Sequence, residues 1–347
     1  MAKEKKQSVA FIINPISGTH RKEEIPELIK LTIDQSRFDY DVMFTEYAGH
    51  AAEIARKCAE QHTDICVAVG GDGTVNEVAR SLVHTQTALG IIPCGSGNGL
   101  ARHLCLPMAA KQAIEIINQA QIEAFDYGLI NGLPFFCTCG MGFDAFISLK
   151  FAEAGKRGPI TYVENVLKEG LKYKPETYIV EDETGTHRHK AFLIACANAA
   201  QYGNNAYIAP GASMKDGFMD VIIMEPFDVL DAPNIAFDLF SKTLTQNSKI
   251  RTFKAKHIHI QRTHEGAIHY DGDPIMTDAN VDVSIQPQGI RIVVNPNAIE
   301  DDSQPNPMLN AFSDFFNNIN NVREDIVRGH RRIQALNKLM LRKLSKI

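Results

Sequence analysis

At 347 residues, with 44% hydrophobic and 22% charged residues, the chain holds enough apolar material for two cores. That composition excludes a fibrous, low-complexity or wholly disordered protein. The net charge of −5 is uneven: from Asn310 to Ile347 eight Lys and Arg face three Asp and Glu, leaving +5 on this tail and −10 on the rest. By charge alone, a basic end on an acidic body points to an anionic partner for the tail, phospholipid or nucleic acid. The seven cysteines are odd in number and form no C-x-x-C, so a reducing compartment is expected. The N-terminus, Met-Ala-Lys-Glu-Lys-Lys-Gln, is charged before a short apolar run and does not read as a signal peptide. The longest apolar stretch, around Ala191 to Ala200, is about half of the roughly 20 residues that a membrane span needs.

The first third alternates strand and helix patterns. Strands are expected over Val9–Ile13, Tyr40–Thr45, Ile65–Val69 and Ala88–Ile92, and helices over Glu23–Gln35, Ala48–Gln61, after Gly73 and from Leu100. Nearly continuous apolar strands alternating with helices predict a doubly wound parallel sheet, with ligands at the carboxyl ends of its strands. From Phe125 the texture changes. Asn131-Gly132 is a hairpin signal, and helical patterns follow over Asp144–Ala154 and Ile160–Lys172. Short strands are then expected over Tyr178–Asp182, Ala191–Ala197, Met219–Met224, Lys256–Gln261, Ala267–Tyr270, Val281–Gln286 and Ile290–Val294, with a helix over Val229–Thr245. This spacing predicts an antiparallel sandwich or barrel. Asp301–Pro307 reads as a linker and the last forty residues as one or two amphipathic helices, with Phe312, Phe315 and Phe316 at one end and basic residues at the other, either a membrane-surface element or an arm packed on the body or on a second subunit. The chain accordingly divides at 1–125, 126–299 and 300–347.

The segment Gly70-Gly71-Asp72-Gly73-Thr74 ends one strand and opens one helix. Glycines there admit close approach of a phosphate, and amides at a helix N-terminus favour an anion. Asp72 is unexpected in an anion cradle; a metal ion or a transferable proton would account for it. The competing reading is an ordinary glycine-rich turn. A second loop, Gly95-Ser96-Gly97-Asn98-Gly99, follows the next strand, yet neither a P-loop nor a dinucleotide fingerprint is present. Asp271 and Asp273, flanking Gly272, form a carboxylate pair at i and i+2, where like charge raises one pKa and suits proton transfer. An Asp-Gly turn is the plainer alternative. His257 and His259 alternate with Ile258 and Ile260 and read as solvent-facing, His187-Arg188-His189 as a solvated hairpin, and Cys137 and Cys139 as too isolated for zinc.

Asn14-Pro15-x-Ser17-Gly18, the two glycine loops, Tyr207-Ile208-Ala209-Pro210, Lys215-Asp216-Gly217-Phe218-Met219-Asp220 and Asp271-Gly272-Asp273 occur in an order that resembles the diacylglycerol kinase and sphingosine kinase superfamily, over about Val9 to Asn295. The resemblance implies an N-terminal domain similar to phosphofructokinase and NAD kinase, a C-terminal β-sandwich, and an enzyme that phosphorylates a hydroxyl of diacylglycerol, a sphingoid base or a related lipid. It places ATP on Gly70, Gly71, Asp72, Gly73, Thr74, Val75 and Asn76, with Asn14, Thr45 and Ser96 alongside. Ser96 stands where many bacterial members have Thr. A structural Mg²⁺ is implied at Asp216 with the carbonyls of Ser213 and Phe218, where a plain Asp-Gly hairpin turn is the alternative, and a catalytic Mg²⁺ with ATP. Asp273, Asp271 and Asp72 are the implied catalytic acids; the family has Glu at the third position, and Asp273 is one methylene shorter. Two other readings stay open: a lipid- or nucleotide-binding protein of the same fold with little turnover, and a soluble-substrate kinase of the NAD kinase type. The expected partners are ATP, a lipid and, through the tail, a membrane surface, with no nucleic acid; a homodimer is left open. The expected location is cytoplasmic, peripheral to the membrane.

Overall fold

A computed structural model describes residues 5–16, 24–154, 173–228 and 231–298. The expected helix over Ile160–Lys172, the tail from 300, and Ser17 and Gly18 lie outside them.

Four parallel strands, β1 (Gln7–Ile13), β2 (Phe38–Phe44), β3 (Ile65–Gly70) and β4 (Ala88–Pro93), stand in the order β2-β1-β3-β4. Helix α1 (Ile25–Thr32) packs with α5 (Ala110–Gln119), and α2 (His50–Glu60) with α3 (Asp72–Leu82). Pairing of this kind covers both faces of the sheet and explains why every residue of β3 and β4 is buried. Each fully buried Ile or Val on these strands contributes about 1.5–3 kcal/mol relative to exposure. A five-residue helix, α4 (Gly99–His103), leaves the loop after β4.

The second half is an antiparallel sandwich. One sheet runs in the order β12 (Ile250–Ala255), β11 (Met219–Met224), β10 (Leu193–Ala197), β7 (Thr138–Gly142), β14 (Gly266–Tyr270), β15 (Asp273–Thr277). Facing it are β5 (Ile122–Ile130), β6 (Leu133–Phe135), β8 (Glu176–Asp182), β9 (Gly185–Ala191), β13 (His257–Gln261) and β16 (Asn280–Val293). Alternate residues meet between the sheets, among them Ile194, Cys196, Val221, Ile223, Ile258, Ile260, Val281 and Val283. Leu193, Ala195 and Ala197 point the other way, into a second cluster with Phe143 and Ile147 of α6 (Phe143–Ala154) and Ile235 of α7 (Ala232–Phe240). Cys66 and Cys196 are core residues, and His257 and His259 sit on the outer face of β13, as expected.

Several elements differ from expectation for physical reasons. The apolar run Ala191–Ala197 is two strands in different sheets, β9 and β10, with Phe192 at the corner. Burial on both sides of the corner hides it from a periodicity reading. β12 and β15 were not expected because both are edge strands, half exposed and weakly apolar. The expected helix to Thr245 stops at Phe240 and gives way to a 3₁₀ turn at Leu244–Gln246. Val281–Gln286 and Ile290–Val294 are one 14-residue strand, β16, irregular between Gln286 and Ile290 and with Gln288 at φ 50°. Asp126 accepts the Gln288 N–H at 2.8 Å and holds this kink. Ile292 of β16 then pairs in parallel with Leu89 of β4, so one sheet of ten strands runs through both halves.

Candidate active site

β3 and β4 are parallel neighbours, with Gly70 opposite Pro93, so their following loops emerge side by side. They touch through bare backbone: a Cβ on Gly95 would stand 2.6 Å from Gly71 Cα. Asp72, the first residue of α3, reaches across this contact. Its Oδ2 accepts the Asn98 N–H at 2.8 Å and its Oδ1 the Gly99 N–H at 2.7 Å. These charge-assisted bonds cap α4 and pin the second loop to the first. Each oxygen of the Asp72 carboxylate is therefore engaged by one backbone amide of the second loop. Asn98, left-handed at φ 51°, locks the same loop by accepting from Gly95 N–H and donating to Gly95 C=O.

Asn14, at the end of β1, donates from Nδ2 to Thr74 Oγ1 at 3.1 Å. Thr45 at the end of β2 is buried and its N–H donates to Ile13 C=O. Gly73 and Ser96 are exposed at the lip. The carboxyl ends of β1, β3 and β4 thus gather Asn14, Gly70, Gly71, Gly73, Thr74 and Ser96, with Thr45 beside β1. Val75 lies in the apolar core and Asn76 is buried on α3, so Val75 offers this mouth backbone only.

Across the mouth, Asp271 is held left-handed at φ 52° and its carboxylate accepts three amides: Phe136 at 2.8 Å, Cys137 at 2.7 Å and Thr138 at 3.1 Å. Asn198 stiffens this nest by donating from Nδ2 to the carbonyls of Phe136 and Asp126. Burial pushes the Asp271 carboxyl above its ordinary value, against the opposing pull of the three amides and of Arg80. Asp273 faces elsewhere. Its Oδ2 accepts Arg80 Nη1 at 2.8 Å, with the carboxylate about half exposed. The two acids do not share one site, and burial, not repulsion between them, raises Asp271; the expectation of a like-charge pair is corrected.

Arg80 was not anticipated. It sits on α3 beside the buried Val78, Ala79 and Leu82, donates to the carbonyls of Pro134 and Tyr270, and lies 4.4 Å over the Tyr270 ring. A charge within a buried helical stripe was the available signal. An ion pair this exposed is worth on the order of 1 kcal/mol or less, so its role is geometric. It ties the helix of the first glycine loop to the acidic turn.

The two halves meet again at the second loop. Asn204 N–H donates to Gly97 C=O at 3.0 Å and Ala200 N–H to His103 Nδ1 at 3.2 Å. Away from this cleft, Asp216 accepts the Phe218 N–H and the Lys254 ammonium, and the same ammonium meets Asp220, both at 2.9 Å. Ser213 Oγ accepts from Lys215 N–H. Asp216 thus lies on the sandwich beside Asp220, with Lys254 between the two carboxylates. Among the described residues no group of three or more His, Cys, Asp or Glu is gathered to hold a metal.

The fold thus sets the glycine loops of a parallel α/β domain beside the acidic turn of a β-sandwich. The diacylglycerol kinase catalytic domain matches residues 8–130, and the YegS C-terminal NAD kinase beta sandwich-like domain matches residues 138–294. The chain belongs to the family built from these two domains, and it is a phosphotransferase with an alcohol acceptor. A relative from Staphylococcus saprophyticus, named diacylglycerol kinase, is 26% identical over 76% of this chain and 88% of its own length. A relative from Citrobacter koseri, named "Probable lipid kinase YegS-like", is 28% identical over 74% of this chain and 86% of its own. The crystal structure of a diacylglycerol kinase from Bacillus anthracis superposes with a TM-score of 0.67 at 20% identity, covering 86% of this chain and 100% of that one. An NAD kinase from Archaeoglobus fulgidus in complex with ATP superposes at 0.51 and 13% identity over 87% and 99%.

Proposed function

We propose that the protein transfers the γ-phosphoryl group of ATP to a hydroxyl of a lipid amphiphile, a diacylglycerol, a sphingoid base or a related lipid. The observation that carries this reading is the Arg80 link, which ties the half-exposed Asp273 carboxylate to the helix that opens at the first glycine loop. The names of the relatives support the lipid acceptor.

Phosphoryl transfer asks for alignment and charge neutralisation more than for covalent chemistry. Gly70, Gly71, Gly73 and Thr74 present bare backbone and the α3 N-terminus to the phosphates, with Asn14, Thr45, Asn76 and Ser96 around them. Mg²⁺ enters with the nucleotide as part of the substrate and offsets phosphate charge. Asp72 holds the two loops in register. Asp273 takes the proton of the acceptor hydroxyl, and Asp271, anchored in its amide nest, sets the turn that presents Asp273. In this division the nucleotide is carried by 1–125 and the acceptor by 126–299. No helix among the described residues is long and apolar enough to cross a membrane. Access to lipid is assigned to the basic tail, 300–347, lying on an anionic bilayer surface from the cytoplasmic side.

A second reading, a binding protein with little turnover, is favoured by one observation. Asp273 is shorter than the family Glu and already engaged by Arg80. Both are tested by transfer of labelled γ-phosphate from MgATP to detergent-dispersed dioleoylglycerol, sphingosine and monoacylglycerol, by the native protein and by Asp273→Asn. Label on one lipid class, falling at least about 100-fold in Asp273→Asn, supports the kinase. No label with ATP still bound, and label appearing in Asp273→Glu, supports the second reading.

A further inference from the structure

Beneath the acidic turn lies a buried polar chain that the proposed mechanism does not use. His269, on β14, is 2% exposed. Its Nε2 meets Asp144 Oδ2 at 3.0 Å, and Gly272 N–H donates to its Nδ1 at 3.4 Å. A backbone N–H can only donate, so Nδ1 is the acceptor and the proton sits on Nε2, pointing at Asp144. Asp144, in the first turn of α6, also accepts Ala145 N–H at 2.8 Å and Tyr202 O–H at 3.3 Å. Room for the pair comes from Gly140 of β7, registered opposite His269; a Cβ there would fall 2.4 Å from Asp144 Oδ2.

Tyr202 carries the chain onward. Its neighbour Gly203, at φ 114°, lies against the Gly97 backbone, and Asn204 N–H donates to Gly97 C=O. An unbroken path therefore runs from the second glycine loop through Tyr202, Asp144 and His269 to the amide of Gly272, between the two acids. Burying an imidazole and a carboxylate is costly, and apolar residues of similar volume stabilise a core at least as well. A fully partnered network at this place gives a geometric return instead, since misplacing a catalytic group by about 1 Å can cost roughly 100-fold in rate.

We propose that His269 is a positioning residue for the Asp271-Gly272-Asp273 turn, and that Asp144 and Tyr202 couple that turn to the second glycine loop. This rests on the reading of Asp273 as the proton acceptor. The tests are kcat and KM for MgATP with dioleoylglycerol micelles, the thermal midpoint, and amide hydrogen exchange at Gly272. They are made on native protein, His269→Gln, Tyr202→Phe, Asp273→Asn and the His269→Gln/Asp273→Asn double variant. Glutamine keeps a donor toward Asp144 and loses the acceptor for Gly272 N–H.

The expected result is a kcat about 10- to 100-fold lower in His269→Gln, with KM for ATP unchanged, faster exchange at Gly272, and no further loss of kcat in the double variant. Tyr202→Phe, which removes one hydroxyl, is expected to lose kcat a few-fold with its midpoint kept, and it decides the matter if His269→Gln does not fold. Asp273→Asn slow while His269→Gln runs at the native rate overturns the positioning role alone. A native rate in Asp273→Asn overturns the proton-acceptor reading and the positioning role with it. Multiplicative losses in the double variant overturn action through the turn. Exchange at Gly272 reads the hydrogen bond without any substrate, and native-like exchange in His269→Gln also overturns the proposal.

Discussion

At the scale of single residues, Asp271 and Asp273 show how two like side chains, two positions apart, are given different environments. Asp271 is turned inward onto three amides and Asp273 outward onto Arg80. Because burial raises the folded pKa of Asp271, the native state holds its proton longer than the unfolded chain does. Between the unfolded value, about 4, and the raised folded value, the native state binds more protons, so this residue's contribution to stability falls as pH rises. Urea unfolding of the native protein and of Asp271→Asn from pH 3.5 upward is expected to show a steeper decline in the native protein within that window. Equal slopes would mean that another group carries the dependence. Both acids were legible in the sequence as a turn with chemistry. Arg80 was not, because its bond to Asp273 joins residues 193 positions apart.

At the scale of elements, the two glycine loops depend on each other. The strand, loop and helix signals around Gly70 and Gly95 are local in the chain and were read correctly as strand ends. The contact between them is not local. Gly95→Ala places a methyl 2.6 Å from Gly71 Cα, backbone against backbone. It is expected to cost about 1–3 kcal/mol in urea unfolding and to weaken binding of a fluorescent ATP analogue. Gly73→Ala meets nothing within 4 Å and lies in the first turn of α3. There alanine is expected to leave stability unchanged or raise it by up to about 1 kcal/mol, whatever it does to nucleotide affinity. If both variants unfold alike, the loops do not bear on one another as described. Edge strands β12 and β15 escaped the sequence reading for the opposite reason: half-exposed edges carry little periodic signal, although their pairing partners are unambiguous in space.

At the scale of the whole molecule, β16 joins the halves. It pairs with β13 and β5 in the sandwich and with β4 in the parallel sheet. Truncation after Ala279 removes all three pairings and is expected to abolish cooperative unfolding. Truncation after Ala298 leaves every described pairing in place and is expected to keep the native thermal midpoint. Circular dichroism melts of the two proteins check this, and a cooperative melt for the shorter chain would show that the halves fold without β16.

Sequence alone determined the parallel α/β half, the antiparallel half that follows it, the two glycine loops at strand ends and the Asp-Gly-Asp turn. All of these arise from local periodicity and turn chemistry, which short stretches of chain carry by themselves. Tertiary structure decided that Asp72 serves two amides, that Lys254 stands beside Asp216, that Arg80 aims Asp273, and that Asp144 and His269 meet beneath the turn. Each of these is a hydrogen bond between side chains or loops far apart in the chain, and only the packing of the whole fold brings them within 3 Å of each other.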